Sequence, residues 1–329
     1  MATSLPVQSP LHIRSSMVSQ VVQDGPVMPE TSALLAKLIT AFHILHRKGV
    51  LDEYGQVSVR NPLDKSTFFT SSKPANLISS MRDLDQWNVA DGSPIEQPEA
   101  GIQPNSKVSP FSEHWIHSSI PACYPDVNSV VHSHSATMVA AGLLKVNNSH
   151  ESIQPVFHMA GFVGGSVPIF DISRVYETMP DHTQNMLINN KKIGDALAAS
   201  LSGNTRSMEF EFADSDDAQS TTKTLPDLPQ LPDVPIILQR GHGFVTWATS
   251  LEDAVYKAVY AQKNTEIQMM AQNYLARGSV PASELVCLSR REAKDSANTI
   301  NAGMPRAWPS WAADVKRCGL YVNKLAAFL

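Results

Sequence analysis

Two histidines separated by one residue, His132 and His134, follow the apolar run that ends at Val131. Successive residues of a strand point to opposite faces, so the two imidazoles would project to one side if the strand continues past Val131. Neutral imidazole binds Zn, Mn, Fe, Co or Ni. The pattern predicts a metal platform at the end of a buried strand, with a pair of surface histidines as the alternative.

Two further segments carry side chains that could complete such a site. His242 lies between Gly241 and Gly243 after an apolar run, where a sharp turn can aim one side chain into a cleft. An ordinary loop histidine would give the same pattern. Glu113 lies in the first turn of a predicted helix. Its carboxylate there could bind a metal, act as a general base, or only complement the helix dipole.

Short strands and helices alternate along the chain and would have to position these side chains. Helical spacing of apolar residues runs from Thr31 to a stop at Gly49, and a second helix is predicted to end before Pro121. Strand-like runs occupy residues 56–60, 67–70, 128–131, 155–158, 167–171, 235–239 and 244–247. Further helices are expected over 184–201 and 250–276. This mixture predicts an α/β or α+β fold in one domain.

The chain divides into a main domain and three segments of different composition. Residues 1–28 are rich in Ser and Pro and are expected to form a flexible arm. Residues 29–280 form the predicted domain, and residues 209–234 are an acidic, Ser/Thr/Pro-rich surface insertion within it. Residues 281–329 are a C-terminal extension, expected to pack on the domain or on a neighbouring subunit.

Composition argues against several classes of protein. The net charge of −5 and the pI near 6.1 leave no concentrated basic surface for nucleic acid. Three widely spaced cysteines, Cys123, Cys287 and Cys318, predict neither a disulfide framework nor a cysteine-rich zinc site. The sequence shows neither a signal peptide nor an apolar run near the ~18 residues of a membrane span. We therefore expect a soluble, cytoplasmic protein.

Several motifs together resemble the class II aldolase/adducin family. The order and spacing match over roughly residues 31–277, apart from the insertion, and the motifs are Glu113, residues 124–127, His132, His134 and residues 241–243. The resemblance implies an α/β/α sandwich around a mixed, largely antiparallel sheet. It implies that His132, His134 and His242 bind one divalent metal, zinc first, with manganese or iron as alternatives. Glu113 would be the fourth ligand or the acid/base. It also implies homotetramers with active sites between subunits.

Two loops depart from the members of the family that act on sugar phosphates. Their first loop reads Gly-Asn-x-Ser, and here residues 55–58 read Gly-Gln-Val-Ser. Their second loop ends in a glycine that lets the backbone approach the phosphate closely. Here Lys73 occupies that place, and its side chain prevents this approach. A substrate without a phosphate group is therefore expected.

Other segments resemble the branch of the family that includes decarboxylases of hydroxylated aromatic or heteroaromatic acids. These are residues 57–61, 155–160, 167–171 and 240–243. In that interpretation Arg60, Ser72 or Lys73 holds a substrate carboxylate or phenolate, Arg as a fork and Lys as a point charge. The alternative for Arg60 and Lys73 is a solvated surface charge.

A proton donor is needed for any carbon–carbon cleavage that leaves a carbanion. His158 is one candidate, with a hydrogen-bonded core histidine as the alternative. Aldolases of this class can use a tyrosine from the C-terminal part, which makes Tyr321 a candidate beside Tyr260 and Tyr274. Packing is the alternative for each tyrosine.

These patterns predict a divalent-metal-dependent carbon–carbon lyase that acts on a small carboxylic acid or hydroxy-carbonyl compound. Decarboxylation of a hydroxy, keto or hydroxyaromatic acid through a metal-stabilised enolate comes first. Retro-aldol cleavage of a non-phosphorylated substrate is the alternative. A non-catalytic, adducin-like interaction module is a further alternative, although such a module need not keep three histidines and the glutamate.

Overall fold

The computed structural model describes most of the chain, and its elements are bounded as follows. The described residues are 29–95, 111–144, 153–165, 167–202, 230–276, 285–303 and 306–329. The N-terminal arm and residues 209–229 of the insertion lie outside them. The helices are α1 Pro29–Arg47, α2 His114–Cys123, α3 Ala136–Gly142, α4 Ser173–Tyr176, α5 Lys191–Ala199, α6 Leu251–Ala276, α7 Arg290–Gly303 and α8 Ala307–Arg317. The strands are β1 Gln56–Arg60, β2 Thr67–Thr70, β3 Asp85–Asn88, β4 Ser129–Ser133, β5 Ile169–Phe170, β6 Ile236–Gln239 and β7 Gly243–Ala248.

The strands form one seven-stranded sheet in the order β3-β2-β1-β4-β7-β6-β5. Five of the six neighbouring pairs are antiparallel, and β5 with β6 is parallel. In the centre, Gln56 of β1 pairs with His132 of β4, which pairs with Val245 of β7. The predicted mixed, largely antiparallel sheet is confirmed.

Helices cover both faces of this sheet, because its strands carry apolar side chains on both sides. On one face Val57 and Val131 pack with residues of α1, α3 and α6 in one apolar core. On the other face Val130 and Val245 pack with residues of α2 and α5 in a second core. The predicted α/β/α sandwich is therefore confirmed.

The C-terminal residues pack on the α1 side of the sandwich. The Asn323 side chain donates to Ala36 O at 2.8 Å and to Thr40 Oγ1 at 3.0 Å, both on α1. Val315 and Tyr321 are buried in the same apolar core. The proposed boundary at residue 280 lies outside the described residues and stays a prediction.

Two local predictions fail for identifiable reasons. Helix α2 was expected to stop before Pro121, but it continues to Cys123 with Pro121 inside it. Residues 155–158 were expected to form a strand. The N–H groups of Val156 and Phe157 instead donate to the side-chain oxygen of Asn264 on α6, at 2.9 and 3.2 Å. A strand at residues 155–158 would need a neighbouring strand to accept its N–H groups, and the Asn264 side chain takes the place of that strand.

Among the described helices, none combines the length and the apolarity that crossing a bilayer requires.

Arg60 at the end of β1 ties three parts of the fold together. Its Nε donates to Val127 O at 3.0 Å, and its two terminal nitrogens donate to Lys65 O at 2.6 Å and Pro121 O at 2.8 Å. The side chain is buried, and burial lowers the pKa of the guanidinium. The contact with Pro121 O also helps to hold the last turn of α2 in place.

Replacing Arg60 with methionine should destabilise the protein, because three carbonyls, those of Val127 and Pro121 buried, lose a charged donor. We expect the free energy of unfolding to fall by roughly 3 kcal/mol, measured by denaturant titration. The control is Lys73→Met. The half-exposed ammonium of Lys73 pairs with Asp83, and its removal should lower the free energy of unfolding by less than about 1 kcal/mol. Unchanged stability together with weaker substrate binding in Arg60→Met would instead support the substrate-binding role.

Candidate metal centre

His132 and His134 project from the same face of the sheet. The intervening Ser133 points to the other face, where its hydroxyl donates to Val50 O. His132 is completely buried on the face covered by α2, and its Nε2 lies 3.0 Å from Nε2 of His134. The alternation expected of a strand thus continues one residue beyond the end of β4.

His242 reaches the same point from the turn between β6 and β7. Its Nε2 lies 3.2 Å from Nε2 of His134. Both flanking glycines have positive φ, +65° at Gly241 and +155° at Gly243. A Cβ at residue 243 would lie 2.0 Å from Ser133 O, so only glycine fits there. The Gly-His-Gly sequence therefore lets the turn approach β4 closely enough to bring the third imidazole to the other two.

Glu113 supplies the fourth ligand atom from the residue that precedes α2. Its Oε1 lies 2.8 Å from Nε2 of His242, and its Oε2 lies 3.4 Å and 3.7 Å from Nε2 of His132 and His134. The 2.8 Å contact between Glu113 Oε1 and His242 Nε2 is not aligned as a hydrogen bond. Two ligand atoms that both point at one metal position would have such a geometry. Ligand atoms around tetrahedral zinc are about 3.3–3.4 Å apart, since each bond is about 2.0–2.1 Å. The four groups therefore fit one divalent metal.

The outer nitrogens of two imidazoles have acceptors that fix their protons. Nδ1 of His132 lies 3.2 Å from Phe244 O, and Nδ1 of His134 lies 3.1 and 3.2 Å from the two carboxylate oxygens of Asp52. A carbonyl and a carboxylate only accept, so each Nδ1 carries the proton and each neutral ring presents a lone pair at Nε2. Two lone pairs 3.0 Å apart repel each other unless a cation or a proton lies between them.

The charges of the cluster are strongly coupled. Burial alone would raise the pKa of Glu113, but the three histidines hold it well below its ordinary value. Burial lowers the pKa of His132. Burial also opposes charge on His134, yet Glu113 and Asp52 raise its pKa above the ordinary value. Glu113 and Asp52 thus favour positive charge at His134.

Asp52 is a site residue that the sequence analysis missed. Besides His134, its carboxylate accepts the backbone N–H groups of Tyr54 at 3.0 Å and Gly55 at 2.8 Å. An aspartate three residues before a turn glycine is a common turn pattern, so it gave no signal of contact with His134.

Ser72 and Lys73 lie at the same end of the sheet as the cluster. They follow β2, which runs back beside the start of β1 at Gln56, the partner of His132. At about 4.8 Å per strand, this places them about 10 Å from His132 along the sheet. The backbone N–H and hydroxyl of Ser72 both donate to Asp85, and the ammonium of Lys73 pairs with Asp83. Arg60 lies at the other end of β1, about 13 Å from Gln56.

His158 and Tyr321 contact residues outside the cluster. His158 is exposed at the start of the 3-10 turn His158–Val163, with its ring against Phe157. The Tyr321 hydroxyl lies 2.8 Å from Nδ1 of His46 on α1, on the sheet face opposite His132. Within the described part of one chain, the structure does not bring these two candidate proton donors to Glu113.

Comparisons with known proteins agree with this geometry. The Class II Aldolase and Adducin N-terminal domain family matches residues 36–269. The decarboxylase tropJ of Talaromyces stipitatus is 36% identical over 289 residues, which cover 87% of this chain and 95% of that protein.

Two solved structures share this fold. An aldolase II superfamily protein from Pseudomonas syringae has a TM-score of 0.60 at 19% identity, covering 89% of this chain and 96% of its own. The L-fuculose 1-phosphate aldolase of Glaciozyma antarctica PI12 has a TM-score of 0.58 at 17% identity, covering 92% and 97%. By sequence, by fold and by the cluster of one glutamate and three histidines, the chain belongs to the class II aldolase and adducin family, near its decarboxylase branch.

Proposed function

We propose that the protein is a divalent-metal-dependent carbon–carbon lyase that decarboxylates a hydroxy, keto or hydroxyaromatic acid. The observation that carries the proposal is the convergence of Glu113 and three imidazole Nε2 atoms, all ligand atoms lying within 4.8 Å of one another. The 36% identity to a decarboxylase over most of both chains supports this reaction ahead of others.

We propose zinc as the metal, with manganese or iron as alternatives, because three imidazoles and one carboxylate suit zinc well. When bound, the metal supplies a Lewis acid that withdraws electrons from a substrate oxygen as the carbon–carbon bond breaks. Among the four ligands only Glu113 is anionic, so the metal with its ligands would keep a net positive charge, which the Asp52 carboxylate beside His134 partly offsets. The neutral histidines thereby keep the site attractive to an anionic acid.

The chain's own residues have to keep that geometry and handle one proton. When CO₂ leaves, the electron pair of the broken bond stays on the substrate carbon, conjugated with the neighbouring oxygen, and that carbon then takes up a proton. As the alternative to its role as fourth ligand, we propose that Glu113 is the acid/base that relays this proton from solvent to the carbon, because its carboxylate lies at the cluster and is almost completely buried. His158 and Tyr321 remain predictions, and a role for either requires contact across a subunit interface.

We propose that the substrate carboxylate is recognised by Ser72 and Lys73. They follow β2 at the end of the sheet that carries the cluster, and the Lys73 ammonium is half exposed. Each of the three guanidinium nitrogens of Arg60 donates to a backbone carbonyl, which supports a structural role for that residue.

Retro-aldol cleavage of a non-phosphorylated substrate is the second candidate. The fold shared with an L-fuculose 1-phosphate aldolase favours it. Both reactions need the same stabilisation of negative charge on a substrate oxygen, so the metal cluster alone does not discriminate between them.

We also propose a cytoplasmic location. The cysteines Cys123, Cys287 and Cys318 are all free thiols, which supports a reducing compartment.

The purified protein should contain about one divalent metal per chain, and His134→Ala should lose it, because one of four ligand atoms is removed. Elemental analysis measures both contents. The control is His182→Ala, whose ring pairs with Asn189 away from the cluster and whose loss should leave the metal content unchanged. The proposed metal centre would be wrong if wild type stayed metal-free after incubation with zinc, manganese and iron.

The metal-loaded protein should release CO₂ from at least one member of a panel of hydroxyaromatic and β-keto acids. Mass spectrometry of the product together with a CO₂ assay measures the reaction, and Glu113→Gln should lower kcat by about 100-fold or more, because the proton carrier is lost. Formation of an aldehyde or ketone pair without CO₂ would establish the aldolase alternative. No turnover of hydroxy, keto or aldol substrates with any of the three metals would contradict the lyase proposal.

We propose a homotetramer, supported by exposed apolar side chains near the C-terminus: Leu320, Val322, Phe328 and Leu329, each at least half exposed. Analytical ultracentrifugation should give a mass four times the 35.9 kDa of one chain. Leu320→Asp with Val322→Asp should shift the population to smaller species, because charged groups would be buried at the interface. Wild type sedimenting as a monomer would refute the proposal.

A further inference from the structure

One histidine of the cluster lacks the outer hydrogen bond that the other two have. A metal-ligating imidazole almost always donates its second N–H to a carboxylate, a carbonyl or water, and this bond fixes the ring. His132 and His134 have such acceptors in Phe244 O and Asp52. Nδ1 of His242 is buried and, among the residues that the structure describes, has no hydrogen-bond partner.

A buried carboxamide without partners lies in the same hairpin. Gln239 is the last residue of β6 and is only 2% exposed. Neither its Oε1 nor its Nε2 has a hydrogen-bond partner in the described part of the chain. Burial of an unpaired amide is unfavourable, and an apolar residue would pack there without that cost. The position therefore needs a polar group for a reason other than packing.

The register of the sheet places this carboxamide next to the His242 ring. Ser133 pairs with Phe244, so His134 lies opposite Gly243, and Gly243 pairs with Gln239. Strand alternation then sends the side chains of His134 and Gln239 to the same face, with no side chain at Gly243 between them.

The His242 ring occupies that gap. It stacks on the His134 ring with centroids 5.0 Å apart, close to the spacing of one strand. Its backbone N–H donates to Gln239 O at 3.1 Å, which closes the turn. The His242 ring thus stacks on His134, and its backbone is bonded to Gln239, whose side chain lies on the same face of the sheet as His134.

We propose that Gln239 is a positioning residue for the metal centre, in which its Oε1 accepts the Nδ1 proton of His242. The bond would form by rotation about the side-chain torsions of Gln239. The bond satisfies two orphaned atoms at once, and it fixes the tautomer that presents the His242 lone pair at Nε2. The inference rests on the metal centre of the proposed function but not on the reaction catalysed there.

Zinc affinity of the full-length protein tests the role without any assay of activity. Titration against a chromophoric chelator should show zinc binding about 10-fold to 100-fold weaker in Gln239→Leu than in wild type. Gln239→Glu keeps an acceptor oxygen in place, so its zinc affinity should lie within about threefold of the wild-type affinity. The matched control is Gln268→Leu, a buried glutamine of α6 whose Oε1 accepts from Gln154 N, and it should bind zinc like wild type.

Side-chain nitrogen–proton correlation spectra of the zinc-loaded wild type give a second readout that needs no variant. We expect His242 to carry its proton on Nδ1, protected from exchange with water and showing an Overhauser contact to the Gln239 amide protons. This spectrum decides the question even if Gln239→Leu does not fold.

Three results would overturn the proposal. These are unchanged zinc affinity in Gln239→Leu, an equal loss in Gln239→Leu and Gln239→Glu, or a His242 Nδ1 proton that exchanges freely with water. Failure of the wild type itself to bind zinc, manganese or iron would refute the metal centre as well. If the metal centre is real but Gln239 has no role in it, the wild type and the three variants, Gln239→Leu, Gln239→Glu and Gln268→Leu, should all bind metal equally well.

Discussion

Several nitrogen lone pairs face one another across about 3 Å in this protein, and the rest of the structure keeps them there. Imidazoles that were free to rotate would turn away from such an arrangement or share a proton. Here the ring of His132 is held by Phe244 O and that of His134 by the Asp52 carboxylate. The sheet fixes the backbone of His132 through pairing with Gln56 on one side and Val245 on the other, and His134 follows directly after the end of β4. The cluster is therefore preorganised before any metal arrives.

The sequence was enough to predict the fold class and the side chains of the cluster. Strand alternation at His132 and His134, and glycines on both sides of His242, are local patterns with a direct geometric meaning. The predicted pattern of strands and helices, read with the family resemblance, led to the observed sandwich. Those features depend on the spacing of residues along the chain, which can be read directly from the sequence.

Contacts between residues far apart in the chain could not be predicted from the sequence. Arg60 at a strand end looks the same whether it binds a substrate or donates to three carbonyls, and only the burial of its guanidinium distinguishes the two. Asp52 reaches His134 across 82 residues. The strand expected at residues 155–158 is absent because Asn264, more than 100 residues away, provides the hydrogen bonds. In each case a long-range polar contact overrode a local pattern.

The cluster is partly exposed to solvent on one side and buried on the other. His132 is fully buried, whereas the side chain of His134 is 20% exposed and that of Asp52 is 39% exposed. In a single chain, solvent therefore reaches the His134 side chain and Asp52, at the end of the sheet. An ion can enter by that path after the chain has folded, so maturation of the protein need not be coupled to metal supply during synthesis.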